Sequence, residues 1–343
     1  MFGVGVVGYG YWGPNLARNF AELPGARLVA VSDARAERLA QARQRYPGLE
    51  TTSDYRDLLS NSSVDAIVIA TPVASHFDLA WQALRAGKHV LVEKPMTTSS
   101  EEGRRLIAEA DRRHSILMVD HTFVYSGAVA KIKELVAGRT LGDIYYYDAV
   151  RVNLGLFRHD VNVLWDLAMH DLSIIGHVLP ERPRAVCATG MSHVPGEPEN
   201  IAYLTLLFDS TLIAHVHANW LAPVKVRQTL IGGSEKMIVY DDIEPSEKVK
   251  VYDKGITLNH HGNGESVYKM LVGYRTGDMW APQLDGTEAL RTEARHFLQC
   301  IEENHRPVTD GEAGLQIVQL LEAATRSMSE QGRPVELKSE VAA

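Results

Sequence analysis

Three groups of residues, far apart in the chain, carry side chains or backbone that could do chemistry. The first is the glycine turn in VGVVGYGYWGPNLARNF (residues 4–20), where Gly8, Gly10 and Gly13 fall in the pattern G-x-G-x-x-G. In that pattern the first glycine makes the tight turn, the second lets backbone approach a pyrophosphate, and the third allows close helix–strand packing. Tyr11 and Trp12 are bulky but do not interfere, because backbone N–H groups at a helix N-terminus bind the phosphate. The second group is VLVEKPMT (90–97), which sets Glu93 and Lys94 just after an apolar run and before Pro95. An amine there can favour a developing oxyanion, and a cis X-Pro bond would aim it back over a cofactor. The third is VNVLWDLAMHDLSIIGHV (161–178), where Asp166 and His170 stand four residues apart and share one helical face. A carboxylate beside an imidazole orients it and raises its basicity, as a general base requires.

Each group also has a plainer reading. The turn can be only a tight turn, Lys94 a surface lysine beside a helix-starting proline, and Asp166 with His170 a polar face in water or a capped core histidine. A metal is not expected, because Asp-x-x-x-His lacks a third ligand nearby.

The elements that must position these residues follow from periodicity. Over the first 120 residues, short apolar runs at Phe2–Val7, Arg27–Val31, Ala66–Ala70, His89–Val92 and Ile116–Val119 alternate with helical stripes. Leu16, Phe20 and Leu23 form one stripe; Phe77, Ala80, Trp81 and Leu84 a second; Leu106, Ile107 and Ala110 a third. Such alternation predicts an α/β domain, a parallel sheet covered by helices on both faces. The glycine turn then lies between a strand and a helix, with Pro14 in the first helical turn. The next strand ends in Asp33, at the distance where an acid holds the adenosine ribose. Asp33 favours NAD, since a carboxylate repels a 2′-phosphate; Arg35 close by leaves NADP open. Glu93 and Lys94 fall at the carboxyl edge of the sheet, where open α/β sheets bind ligands.

Beyond residue 121 the pattern changes. A helix is predicted over Gly127–Ala137, a tyrosine-rich strand in LGDIYYYDAVRVNLG, and a helix from about Val163 to Val178. Strands follow at Ala185–Thr189, Ala202–Phe208, Leu212–Trp220, Val226–Gly232 and Lys236–Tyr240, joined by Asp-Ser and Gly-Gly turns, which suggests a mostly antiparallel sheet. Residues 255–286 read as irregular, and two helices close the pattern at about Thr287–Asn304 and Glu312–Gln331. The expected division is a Rossmann domain over 1–121 and an α+β domain over 122–343 that includes the helices of 287–331.

Composition narrows the classes. The chain has 343 residues, with 35 Lys and Arg against 43 Asp and Glu, a net charge of −8. That balance and the lack of a basic stripe argue against nucleic acid as partner. Two cysteines, Cys187 and Cys300, are too few for a disulfide framework, and each is expected to be a buried free thiol. No apolar run approaches the roughly 20 residues that span a bilayer. The start reads as a strand, not a secretory signal, so a cytoplasmic location is the default expectation.

In this order and at these separations, Gly8-Tyr9-Gly10, Glu93-Lys94-Pro95 and Asp166-x-x-x-His170 resemble the family of glucose–fructose oxidoreductase, inositol dehydrogenase and the rhizopine-catabolism protein MocA. The resemblance runs through VDAIVIATPVASHFDLAWQALRAGKHVLVEKPMT (64–97), KIKELVAGRTLGDI (131–144) and EARHFLQCIEENHRPVTDGEAGLQIVQLLEAATRS (293–327), and it is weakest over 241–286. It implies an N-terminal Rossmann domain that binds NAD(P) and a C-terminal domain with an open sheet whose exposed face builds a homodimer or homotetramer. It implies an NAD(P)-dependent sugar dehydrogenase in which Lys94, Asp166 and His170 are the catalytic residues. It also implies that Thr71, Pro72 and His76 line the nicotinamide side, joining Gly8, Gly10, Tyr11, Trp12, Gly13, Asp33, Glu93 and Lys94 at the cofactor. Many members carry an Arg-Phe pair in the segment that here reads DHTFVYSGAV; Phe123 and Val124 take that place, so its substrate contacts do not carry over.

The segment DAVRVNLGLFRHDVNVLWDLAMHDLSII (148–175) looks most like members that act on nucleotide-linked sugars, often at C3. Arg151, Asn153, Arg158 and His159, with Lys94, Asp166 and His170, are therefore the expected substrate contacts, since Arg suits bidentate phosphate binding. A surface ion pair is the alternative for each arginine. The leading expectation is an NAD-dependent 3-dehydrogenase of a UDP-N-acetyl-hexosamine-like sugar. A 3-ketoreductase, an inositol or free-sugar dehydrogenase, and a dinucleotide-sensing regulator without turnover are the alternatives.

Overall fold

The computed structural model describes residues 1–155, 157–258 and 272–337. The chain divides into two compact units, one of residues 1–126 with 287–322, the other of 127–286 with 323–343.

The first unit alternates strand and helix: β1 (Phe2–Val7), α1 (Gly13–Glu22), β2 (Ala26–Ser32), α2 (Ala36–Arg45), β3 (Glu50–Thr52), α3 (Arg56–Ser60), β4 (Ala66–Ile69), α4 (His76–Arg85), β5 (His89–Glu93), α5 (Ser100–Arg113) and β6 (Leu117–Asp120). The six strands form one parallel sheet in the order β3-β2-β1-β4-β5-β6. The apolar runs are continuous because alternate residues enter two cores. Val4, Val6, Ala66, Val68 and Leu91 join Leu16 and Phe20 on one face. Val7, Ile67, Ile69, Val90 and Val92 join Ala80, Leu84 and Leu106 on the other. The short β3 and α3 went unmarked in the sequence, being too brief to show a period.

The second unit opens with α6 (Gly127–Ala137), as predicted, and β7 (Ile144–Leu154), then α7 (Met169–Val178). Residues Leu164–Ala168 form a π-helix ahead of α7, where the sequence predicted uninterrupted α-helix. Then come β8 (Ala185–Met191), β9 (Ile201–Leu207), β10 (Ile213–Asn219), β11 (Leu221–Gly233), β12 (Met237–Asp241), β13 (Val249–Tyr252), β14 (Gly255–Leu258), β15 (Val272–Arg275) and β16 (Met279–Trp280). The three short strands β14, β15 and β16 replace part of the irregular stretch expected over 255–286; residues 276–278 and 281–286 are irregular as expected, and 259–271 lie outside the described residues. The large sheet has nine strands in the order β16-β13-β12-β11-β7-β10-β9-β8-β17, with β17 at Val335–Glu336. Among its pairings in the described residues only β10 with β7 is parallel. Its strands alternate: Ala202, Leu204, Ala214, Val216 and Ala218 are fully buried, while Tyr203 and Ile213 are exposed on the opposite face.

The last two helices are α8 (Ala289–Glu303) and α9 (Gly311–Ser329). The sequence assigned both to the second domain. In the structure Leu290, Ala294, Phe297, Leu298 and Cys300 of α8 complete the first core of the parallel sheet, and Phe297 packs edge-on against Phe20 of α1. The sheet's face needs a helical cover there, and α8 supplies it from the far end of the chain.

Candidate active site

The glycine turn is built as its spacing demands. Gly8 has φ +94°, and a Cβ there would lie 2.5 Å from the Ala70 carbonyl oxygen. A Cβ on Gly13 would lie 2.1 Å from the carbonyl oxygen of Gly8, so helix α1 can start where it does only with glycine. At Gly10 the nearest atom to such a Cβ is Arg35 Nη2 at 3.5 Å, so this part of the backbone is open to an approaching group. Tyr11 is 93% exposed, and Trp12 is half-buried.

Asp33 ends β2 beside this turn. Its Oδ2 accepts the Tyr9 N–H at 2.7 Å, and its Oδ1 accepts the Arg35 N–H at 2.9 Å and the Arg35 Nε at 3.3 Å. Burial opposes its charge, but the hydrogen bonds from Tyr9 and Arg35 outweigh burial and hold the carboxyl below its ordinary value. The turn and its acid therefore form one hydrogen-bonded unit that fits a dinucleotide: an N-terminal helix end for pyrophosphate and a carboxylate for ribose hydroxyls.

At the carboxyl end of β5, the Glu93 Oε2 accepts the Lys94 N–H at 3.0 Å, and the Lys94–Pro95 peptide is cis. His76 lies 1% exposed at the start of α4. Its Nδ1 is 2.8 Å from the Pro95 carbonyl oxygen and its Nε2 is 2.8 Å from that of Thr71. Burial keeps its pKa below the ordinary histidine value. Both ring nitrogens thus face backbone carbonyl oxygens, to one of which the neutral ring donates. Thr71 and Pro72 sit on the loop after β4, half-buried and exposed respectively.

Next to Lys94 and the predicted Glu93 lie two further buried acids, Asp120 and Glu293, that sequence reasoning missed. Asp120, last residue of β6, pairs in register with Glu93. Its Oδ2 accepts the Trp12 indole N–H at 3.0 Å and its Oδ1 accepts the Thr122 hydroxyl. Glu293 of α8 is fully buried, and neither of its carboxyl oxygens has a hydrogen-bond partner. Burial first, then the neighbouring charge of Asp120, raises Glu93 and Glu293 well above the usual carboxylate range. His121 beside them is 2% exposed and pushed down to about 4 by burial, so its ring is neutral. The signal for Glu293 was present but ambiguous: a charged residue on the stripe formed by Leu290, Ala294 and Phe297.

The second unit holds the remaining candidates. Asp166 lies in the π-helical turn and His170 in the first turn of α7, both half-buried. The Trp220 indole N–H donates to Asp166 Oδ2 at 3.0 Å, which fixes the direction of that carboxylate. A π-turn at such a position is frequent at functional sites. Asn153 is half-buried on β7. Arg158 pairs with Asp160 through Nε at 3.1 Å and Nη2 at 3.0 Å, and His159, exposed, contacts Glu197 at 2.6 Å. Arg151 requires a correction. It is 3% exposed and bound to Asp171 of α7, so it is an internal ion pair and not a contact for a diphosphate. Its place on β7 turns it towards the covered face of the sheet.

Both cysteines are free; Cys300 is buried as expected, while Cys187 is half-buried. His296, Cys300 and His305 bring their ligand atoms within 4.8 Å of one another, the one group of metal-binding type among the described residues. Hydrogen bonds link the group: the Val308 N–H donates to His296 Nε2 at 3.0 Å, and Cys300 Sγ lies 3.4 Å from His296 Nε2 and 3.3 Å from His305 Nε2. Among the described residues no helix is long and apolar enough to cross a membrane.

Comparison with known proteins shows what the chain is similar to. Residues 2–121 match the family model described as an oxidoreductase family with an NAD-binding Rossmann fold. Residues 129–239 match the GFO/IDH/MocA C-terminal domain. UDP-N-acetylglucosamine 3-dehydrogenase of Acidithiobacillus ferrooxidans is 29% identical over 92% of this chain and 93% of that protein. Its solved structure superposes with a TM-score of 0.80 over 95% of this chain and 96% of that one, at 27% identity. The NADP(+)-dependent scyllo-inositol 2-dehydrogenase of Bacillus subtilis is 24% identical over 95% of this chain and 94% of that protein. Levoglucosan dehydrogenase, at 20% identity and a TM-score of 0.84, shares the fold.

Proposed function

Because the chain belongs to the oxidoreductase family of glucose–fructose oxidoreductase, inositol dehydrogenase and MocA, with an NAD-binding Rossmann domain, we propose that it oxidises a secondary hydroxyl, at C3, of a nucleotide-linked N-acetyl-hexosamine, or reduces the corresponding ketone. The observation that carries the nucleotide-sugar reading is the similarity to UDP-N-acetylglucosamine 3-dehydrogenase over nearly the full length of both chains.

Gly8, Gly10 and Gly13 with the start of α1 would hold the pyrophosphate, and Asp33 the adenosine ribose. When bound, the nicotinamide accepts or returns the two electrons of the carbinol carbon. His170 takes the hydroxyl proton, Asp166 holds the imidazole in orientation, and Lys94 favours the oxygen as negative charge develops. Trp220 supports this by fixing one oxygen of Asp166. Exchange of the roles of Lys94 and His170 gives the second assignment of the base. Asn153 and Arg158 are the substrate contacts that remain once Arg151 is assigned to the interior. The loss of that cation from the diphosphate set, together with the inositol dehydrogenase among the relatives, favours a free-sugar or inositol substrate as the second reading. We extend the reading to assembly: the exposed face of the large sheet, with Tyr203 stacked on His217 at 4.4 Å, joins copies of the chain into a homodimer or homotetramer.

The test is to incubate the purified protein with NAD and a panel of UDP-sugars, dTDP-sugars, free sugars and inositols while following the absorbance of the reduced nicotinamide. 2-Oxoglutarate is added as an electron acceptor in case the cofactor stays bound between turnovers. Turnover with a UDP-N-acetyl-hexosamine is expected. Turnover confined to inositols or free sugars selects the second reading, and tight NAD binding without turnover of any member of the panel overturns both.

A further inference from the structure

We infer that His296, Cys300 and His305 form a site for one zinc ion, held by two imidazoles and a thiolate, that ties the end of α8 to the loop following it. The site lies in the first unit and uses none of the residues assigned to hydride transfer.

Local geometry brings the three together. His296 and Cys300 stand four residues apart on α8 and share one helical face. Asn304 then ends the helix in the left-handed conformation, with φ +50°. The chain doubles back there, and the His305 N–H donates to the Cys300 carbonyl at 3.1 Å. Cys300 Sγ thereby lies 3.4 Å from His296 Nε2 and 3.3 Å from His305 Nε2. Tetrahedral zinc bonds of about 2.3 Å to sulfur and about 2.05 Å to nitrogen set sulfur–nitrogen edges of about 3.6 Å. Both observed edges are within a few tenths of an ångström of that, and all three ligand atoms lie within 4.8 Å of one another. Water completes the coordination, and the ion enters past His305, whose side chain is 39% exposed.

The surroundings suit the ion. Glu303 Oε2 lies 3.4 Å from His305 Nδ1. A carboxylate there draws the ring proton to Nδ1 and leaves the Nε2 lone pair to the metal. Burial, and then His305, hold His296 below the ordinary histidine value, so its ring is a neutral ligand. Two existing arrangements give way. The Val308 N–H that donates to His296 Nε2 turns to water, which Val308 reaches because it is exposed. Burial raises the Cys300 thiol to about 11, so the sulfur keeps its proton until zinc replaces it and the proton leaves to solvent. Imidazole and thiolate select zinc over magnesium and calcium, which take oxygen ligands.

The loop after His305 is itself joined to the parallel sheet. The Thr309 hydroxyl donates to the Val119 carbonyl at 2.8 Å, and the Val119 N–H donates to the Thr309 carbonyl at 2.8 Å. An ion at the head of this loop therefore stiffens the link between α8 and the edge strand β6. A trio joined only by hydrogen bonds would show the same distances, and metal titration separates the two.

The full chain, free of any affinity tag and stripped with a chelator, is titrated with Zn²⁺ and with Co²⁺. The wild type should bind one ion per chain. Cobalt should give the visible bands of four-coordinate metal and a near-ultraviolet thiolate-to-cobalt band, and zinc should displace it. Cys300→Ala should abolish the near-ultraviolet band. His305→Ala should weaken zinc about 100-fold or more, and Glu303→Gln, which acts through His305, about tenfold. Zinc should raise the thermal midpoint of the wild type and not that of His305→Ala. A wild-type protein without the thiolate-to-cobalt band, or one that holds zinc no more tightly than His305→Ala does, overturns the proposal. Zinc bound with no rise in the midpoint overturns the tie between helix and loop. Should Cys300→Ala fail to fold, because its sulfur lies in the core, His305→Ala decides alone, since that side chain reaches solvent.

Discussion

Arg151 of β7 and Asp171 of α7 form a two-pronged ion pair inside the second unit, Nε to Oδ2 at 2.6 Å and Nη2 to Oδ1 at 3.1 Å, with both side chains 4% exposed. The pair locks a central strand of the nine-stranded sheet to the helix that carries His170. Breaking a buried pair leaves its partner charged and unmatched, which costs about 3–5 kcal/mol. Arg151→Met is therefore expected to lower unfolding stability by that order in denaturant titration. The double variant Arg151→Met with Asp171→Leu should recover most of the loss, because no lone charge remains. A single variant that unfolds like wild type would show that the pair contributes nothing.

His170→Ala should lower kcat by about 10²- to 10⁴-fold, the usual range for a positioned base, with a smaller change in KM, once a substrate is identified. Asp166→Asn should act in the same direction through the imidazole. Trp220→Phe, which removes the N–H on Asp166 together with part of a buried ring, should cost less than either. Turnover of His170→Ala near the wild-type rate would return the proton to Lys94.

Gly13→Ala tests the turn without touching any side chain. A Cβ 2.1 Å from the Gly8 carbonyl oxygen forces the backbone apart. Overpacking of this kind costs about 1–3 kcal/mol, and NAD binding should be lost or strongly reduced in calorimetry. Gly25→Ala, where nothing lies within 4 Å of the added carbon but φ is +92°, separates general backbone strain from damage to the phosphate turn. It should lower stability and leave NAD affinity as it was.

Asp33 links the turn to pH. Its carboxyl is held below its ordinary value, against the opposing effect of burial, by the N–H groups of Tyr9 and Arg35 and by the Arg35 guanidinium. A depressed folded value means that this contribution to stability is complete above the ordinary aspartate range near about 3.9 and is lost as the pH falls through the depressed value. Asp33→Asn should flatten the acid limb of a stability-versus-pH curve and weaken NAD. If the acid limb of Asp33→Asn matches that of wild type, other carboxylates set it.

The parallel sheet was legible in the sequence because its strands are buried on both faces. Runs such as AIVIA must be apolar throughout, and the helices between them show clean stripes. The antiparallel strands β8 to β12 were legible for the complementary reason, one face covered and one open, which alternates residues as in Ala202-Tyr203-Leu204. What periodicity could not report were elements too short to show one, β3, α3, β13 and β17, and the π-turn at Leu164–Ala168, which uses the same residues as an α-turn would.

Within the site, the chain by itself determined whatever depends on neighbours in sequence. The glycine spacing, the acid at the end of the second strand, the amine after the fifth and the Asp166–His170 spacing are all local patterns, because backbone geometry over a few residues decides them. Only the tertiary structure decided which charged groups meet across long separations. Arg151 looks like a phosphate ligand in sequence and is an internal ion pair in space; Glu293 reads as one charge on an apolar helical stripe and is fully buried. The physical reason is that desolvation and pairing are set by what the fold brings within a few ångströms, and a charge carries no mark in the sequence of whether its partner will be water, substrate or another side chain.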